Sequence, residues 1–321
     1  MGDTRTDSGS AHVHVPEFFI VGQSKSGTTA LAEMLGAHPQ IYMSSLKEPV
    51  FMASDLHEGL WAMVKTRPRT LEAYLALFAG ARPDQLAGEA STVYLWSRTA
   101  AANIAALQPQ ARIVAVLREP ASFLRSLHLQ LLQNHIETEK DFGKAISLEQ
   151  DRRRGKRIPR GCRWPQALLY SERVRYVEQL ERYRAVLAPE RILVLVYDDF
   201  RADNEGTVRE VLRFLDVDSE VPIEVKEANP TVRLRSRHVD ELIHATTVGR
   251  GPISKGVKAV TSRRLRHTAL RMRRHVVYGE PRPPDERTML ELRRRFKGEV
   301  LALSEYLERD LLSLWGYEHL D

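Results

Sequence analysis

The chain has 321 residues, of which 43% are hydrophobic and 28% charged, with a formal net charge of +6. This ordinary globular composition excludes a fibrous or disordered chain and allows one substantial core or two modest ones. The lone cysteine, Cys162, excludes an internal disulfide framework and a cysteine metal cage, as suits a reducing cytoplasm. Residues 1–16 are polar, without an apolar signal core, and no apolar run approaches the roughly 20 residues that span a bilayer. They read as a disordered tail on a cytoplasmic protein, with a single domain over 17–321.

The first predicted strand covers 18–22, and the spacing of Leu31, Met34 and Leu35 predicts a helix over 28–36 that ends at His38-Pro39. Between them runs Gly22-Gln23-Ser24-Lys25-Ser26-Gly27-Thr28-Thr29. The free N–H groups and positive dipole end of the helix attract an oxyanion, and the glycines let backbone approach it. Lys25 adds charge, and Ser26, Thr28 and Thr29 add hydroxyls. Gln23 and Ser24 complete the candidate anion-binding set. In the nucleotide triphosphatase loop the lysine follows the second glycine, whereas here it precedes it.

A second buried strand is predicted at 112–117 and a third at 191–197, each short, β-branched and set between helical patterns, which argues for a parallel α/β sheet. Ligands gather at the carboxyl ends of such strands, so Arg118, with the Ser126 hydroxyl eight residues on, is a candidate clamp for a second phosphate. The alternative is that Arg118 pairs with Glu119 or Glu89. Asp198 and Asp199, after the third strand, are the candidates for a magnesium-binding carboxylate of a kinase or triphosphatase.

Residues 140–165, rich in arginine, glycine and proline, predict a long surface excursion, and 171–187 a helix burying Val174, Val177, Leu180, Tyr183 and Leu187. A further helix is predicted over 285–311, and loop-like segments at 249–256 and 280–284 bracket a basic helical stretch. Arginines are dense in 152–160, 233–237, 263–274 and 293–297, which suits anionic ligands or simply a solvated surface. Nucleic acid is not an expected partner, because neither interleaved aromatics nor zinc spacing accompanies them.

Together these segments resemble the sulfotransferases that use 3′-phosphoadenosine 5′-phosphosulfate, through most of the chain. The 22–29 loop resembles the family's 5′-phosphosulfate loop, and Arg118 with Ser126 its 3′-phosphate clamp. The 88–95 segment (GlyGluAlaSerThrValTyrLeu) and 307–315 also look familial. Lys47-Glu48-Pro49-Val50-Phe51-Met52 is similar to the Lys-Glu-Pro-x-Phe-Phe motif of the branch that holds the heparan-type glycan enzymes and many bacterial relatives. That branch has a lysine where this chain has Ala90, and an aromatic where it has Met52.

The resemblance implies a P-loop-like three-layer fold, a central parallel sheet flanked by helices. It implies 3′-phosphoadenosine 5′-phosphosulfate as donor and no required metal. Lys25 would neutralise charge on the leaving nucleotide, and Glu48 would take the proton from an acceptor hydroxyl. His128 and His135 are rival bases, since phenol-directed branches use histidine. Tyr170 is placed near the nucleotide, Arg233, Arg235 and Arg237 in a loop over the adenosine, and Glu89 where it orients Lys25 or Arg118, or caps a turn. The altered glycan motif favours a small-molecule acceptor, with a glycan still open, in bacterial specialised metabolism. A magnesium-dependent P-loop kinase or triphosphatase, a nucleotide-binding domain without chemistry and a homo-oligomer also stay open.

Overall fold

The computed structural model describes residues 14–63, 66–224 and 285–320, and otherwise only the backbone of 233–234 and 278–279. It forms two compact units interleaved in sequence: one of residues 1–120, 171–229 and 297–319, the other of 121–170, 230–296 and 320–321.

The first unit is built on a parallel sheet of β1 (Phe18–Gly22), β2 (Ile41–Met43), β3 (Leu86–Ala90), β4 (Arg112–Leu117) and β5 (Ile192–Val196), in the order β2-β3-β1-β4-β5. Phe18, Ile20, Val114 and Val116 face a core shared with Leu31, Met34 and Leu35 of helix α1 (Thr28–Gly36) and with Val208, Val211 and Leu212 of the Asn204–Phe214 helix. The alternate residues Phe19, Val21, Ile113, Ala115 and Leu117 are equally buried, so both sheet faces are covered, as a parallel sheet requires. Helices flank the sheet, as expected.

The chain leaves β1 towards the β2 edge and leaves β4 towards the β5 edge. The crevice between the carboxyl ends of β1 and β4 is therefore the topological switch point, where this class of sheet binds ligands. The 23–27 loop and Arg118 both lie there.

The strands at 18–22 and 112–117 and the helix at 28–36 stand as expected. The third strand stops at Val196, and Tyr197 begins the Tyr197–Ala202 helix. The 171–187 helix shortens to Tyr176–Arg184 behind a 3-10 turn at Ser171–Arg173. The 285–311 helix divides into Glu286–Tyr306 and Leu311–Trp315. The break comes at Glu308, with φ 51°, and Asp310 caps the second piece by accepting from the Ser313 N–H at 3.0 Å.

Within the second unit the first half of the 140–165 excursion is corrected. Phe142–Ser147 and Glu149–Arg153 are helices, and Arg152 is buried as its guanidinium pairs with Glu137 at 2.8 Å, so this half is anchored, whereas 154–163 is irregular and largely exposed, as expected. The Tyr170 hydroxyl donates to Glu137 at 3.1 Å and lies 2.9 Å from His128 Nδ1. β6 (Arg233–Leu234) pairs antiparallel with β7 (Tyr278–Gly279). The expectations for 249–256, 263–274 and 280–284 lie outside the described residues. Among the described residues no helix is long and apolar enough to cross a membrane.

β2 and β3 escaped the sequence reading. LeuAlaGlyGluAla lacks the β-branched signal, because Gly88 must admit the Phe18 ring of its β1 partner. A Cβ at Gly88 would sit 2.1 Å from that ring. Gly88→Ala should cost about 1–3 kcal/mol through overpacking, read as a lower urea midpoint; an unchanged midpoint would contradict this close approach.

Candidate active site

The loop after β1 is held from behind. The Gln23 amide donates to the Arg173 carbonyl at 2.8 Å and accepts from the Tyr176 hydroxyl at 3.1 Å, and its backbone N–H donates to Val116 O at 2.6 Å. Gln23 is thus a brace for the loop, with one amide N–H and its backbone N–H engaged. Gly27 ends the loop at φ 78°, and a Cβ there would meet the Phe200 ring at 2.6 Å, so only glycine fits. No side chain caps α1 and its first turn carries no acidic residue, which leaves the positive end of the helix to a ligand. The Ser24 and Ser26 hydroxyls are buried without a hydrogen-bond partner among the described residues.

Lys25 takes left-handed backbone, φ 65°, which costs a non-glycine residue on the order of 1 kcal/mol. Burial, then the charge of Arg118, holds its ammonium below the ordinary lysine range. Arg118 Nη1 donates to the Lys25 carbonyl at 2.9 Å, and its guanidinium lies 4.9 Å from the centre of the Tyr197 ring. Among the described residues no carboxylate forms an ion pair with either cation: Glu119 accepts from Tyr317 and Glu89 from three hydroxyls. The expected pairings of Arg118 with Glu119 or Glu89, and the expected orienting role of Glu89 towards Lys25 or Arg118, are therefore corrected.

Lys47 donates to the Thr29 hydroxyl, and Thr28 is buried. Glu48, at φ 55°, is half-buried; its carboxylate accepts from the Thr92 N–H and from Thr92 Oγ1, both at 3.0 Å. Burial raises its pKa above the ordinary carboxylate value, against Lys47, the Thr92 hydrogen bonds and Arg67. Arg173 also feels Glu48; burial lowers it to about 10, and it stacks 4.2 Å from the Trp96 ring centre. A cavity of about 380 Å³ opens beside Thr29, Glu33, Ser44, Ser45 and Lys47.

Ser126 and Tyr170 belong to the second unit. Both are buried, and the Tyr170 hydroxyl is committed to Glu137 and His128. His128 has both ring nitrogens engaged, the second 3.4 Å from Lys140 O, and burial depresses its pKa. Arg233 stands in β6, while Arg235 and Arg237 lie outside the described residues. Asp198 accepts from Trp315 Nε1 at 3.0 Å, and Asp199 pairs with Arg309 at 2.8 Å, so partners within the unit hold both expected metal carboxylates. Sequence reasoning passed over Thr92, Ser91, Tyr94, Arg67 and Arg173. Only the 88–95 segment carried a signal for them.

A model of the sulfotransferase family matches residues 16–220. The chain belongs to the sulfotransferase family. Heparan sulfate glucosamine 3-O-sulfotransferase 3B1 of Mus musculus is 30% identical over 125 residues, 39% of this chain and 29% of that protein. Carbohydrate sulfotransferase 15 of Mus musculus is 26% identical over 254 residues, 63% and 44% of the two chains. The chain thus spans less than half the length of these curated relatives. The crystal structure of a sulfotransferase from Alicyclobacillus acidocaldarius superposes with a TM-score of 0.67 at 24% identity, over 94% of this chain and 99% of that one, which shows the shared fold.

The Glu89 carboxyl of this sulfotransferase-family chain is fully buried, and burial lifts it to about 7 from an ordinary 4.5, against hydrogen bonds from Tyr74, Ser91 and Tyr94. Between those values the folded state holds more proton than the unfolded chain, so this group's contribution to stability falls as pH rises from about 4.5 to 7. In urea titrations Glu89→Gln should lose less stability than the parent chain between these pH values; an identical pH dependence would contradict the raised value.

Proposed function

We propose that the chain transfers a sulfuryl group from 3′-phosphoadenosine 5′-phosphosulfate to a hydroxyl acceptor, with Glu48 as general base and Lys25 as electrophilic catalyst. The observation that carries this reading is the pair Lys25 and Arg118, braced together at the β1–β4 switch point with no carboxylate partner among the described residues. The orphaned Ser24 and Ser26 hydroxyls and the uncapped α1 fit the 5′ end of such a donor. Arg118 would hold the 3′-phosphate.

When bound, the donor supplies an activated sulfuryl group, whose bond to the nucleotide breaks as its bond to the acceptor oxygen forms. The Glu48 carboxylate takes the acceptor proton, and its raised pKa brings it closer to neutrality, where a general base is most effective. Lys25, fixed by its left-handed backbone and by Arg118, neutralises the oxygen that receives the electron pair. Its depressed pKa lowers the cost of releasing a proton there. Thr92 keeps the Glu48 carboxylate in one orientation.

The acceptor is proposed to be small. Ala90 stands where the glycan branch carries a lysine, so this position adds no charge for a sulfated chain. The glycan named in the mouse 3-O-sulfotransferase 3B1 remains the second acceptor class, on the strength of that relative alone.

With labelled donor and a panel of phenols, alcohols and saccharides, Glu48→Gln should lower transfer by about 100-fold or more and change affinity for 3′-phosphoadenosine 5′-phosphate less than about threefold. Lys25→Ala should damage both. Undiminished transfer by Glu48→Gln would remove the base from this residue.

A further inference from the structure

Glu89 is fully buried on β3, its backbone paired with Phe19 of β1, and its carboxylate accepts three hydroxyl protons: Tyr74 at 2.6 Å, Ser91 at 2.7 Å and Tyr94 at 2.8 Å. Two of these hydroxyls pass the contact on. Ser91 Oγ accepts the Val50 N–H at 3.0 Å, and the Tyr94 hydroxyl accepts the Met52 N–H at 3.1 Å. The third donor, Tyr74, stacks its ring 4.8 Å from that of Phe51. Every residue from Val50 to Met52 is thus tied to Glu89 through one intermediary.

The tied segment begins at Glu48. Its own N–H donates to Ala90 O at 3.1 Å, next to Glu89 on the strand. Glu48 and Val50 are both left-handed, with φ of 55° and 54°, a conformation a β-branched residue adopts only under constraint. A hydroxyl carries one proton. While that proton goes to Glu89, the lone pairs of the Ser91 and Tyr94 oxygens face the backbone donors, and the chain from carboxylate to hydroxyl to N–H has a single direction. An apolar residue at position 89 would fill the space but leave both hydroxyls free to turn.

We propose that Glu89 is a positioning residue, which acts through Ser91 and Tyr94 to hold the strained 48–52 segment and so aims the Glu48 carboxylate. The inference rests on the reading of Glu48 as the base. The titratable groups that sense Glu89 are Tyr74, Tyr94 and Tyr183, and the charge of Glu48 in turn raises Glu89.

The test uses Glu89→Gln, which keeps the shape, and Ser91→Ala, which removes one link and leaves the carboxylate. Turnover of labelled donor, affinity for 3′-phosphoadenosine 5′-phosphate and the titration midpoint of the Glu48 carboxyl are read together. The midpoint comes from carbon-13 NMR, its signal assigned by its loss in Glu48→Gln. Both variants should lower kcat by about 10-fold or more and leave nucleotide affinity within about threefold. The Glu48 midpoint should move towards the ordinary carboxylate value. Adding Ser91→Ala to Glu48→Gln should cost nothing further, since the two act as one unit.

Wild-type kcat and an unmoved Glu48 midpoint in folded Ser91→Ala would overturn the proposal, as would equal loss of affinity and turnover. Should Glu89→Gln not fold, Ser91→Ala decides alone. Wild-type turnover in Glu48→Gln would instead refute the base assignment, and the Glu48 midpoint would still report whether the clamp exists.

Discussion

Two cations held side by side, without a counter-charge among the described residues, impose the constraint on which the first unit is organised. Lys25 and Arg118 meet where β1 and β4 end, and burial together with the Arg118 charge raises the cost of keeping Lys25 protonated. Such an arrangement is unfavourable unless an anion completes it. The surrounding structure meets this cost with rigid backbone: Gln23 is tied to Arg173, the one Tyr176 hydroxyl proton is shared between Gln23 Oε1 and the Arg118 carbonyl at 2.7 Å, and Gly27 is pressed against Phe200. The loop is shaped in advance, so little ordering remains to be done when a ligand arrives.

The opposite charge is organised by β3. Glu48 is fixed by Thr92, and its segment rests on hydroxyls that point at Glu89. A cation pair and a carboxylate thus stand near the ends of neighbouring strands, and burial and neighbours shift Lys25 down and Glu48 up. Left-handed backbone recurs at Lys25 and at Glu48, and in both cases hydrogen bonds to neighbouring strands hold it in place.

The sequence made the first half of this site legible and hid most of the second. β1, β4 and α1 announce themselves through β-branched runs and a 3.6-residue period, and the loop between β1 and α1 has the composition an anion needs. The Lys-Glu-Pro motif pointed to Glu48 by resemblance, and no periodicity would have done so. Glu89 was misplaced because a buried carboxylate in a glycine- and alanine-rich strand has no local signature: its three donors come from positions 74, 91 and 94. The burial of Arg152 in the arginine-dense 152–160 stretch had no local signature either, since it depends on Glu137.

The most direct test of the central claim is a thermal melt with 3′-phosphoadenosine 5′-phosphate, set against ATP and GTP with and without Mg²⁺. A ligand at about 100 times its dissociation constant should stabilise by roughly 2.7 kcal/mol, a rise of several degrees. The account predicts that rise for the 3′-phosphorylated nucleotide, undiminished when metal is chelated. A shift given only by ATP or GTP with Mg²⁺ would contradict it, and would make the site that of a kinase or triphosphatase.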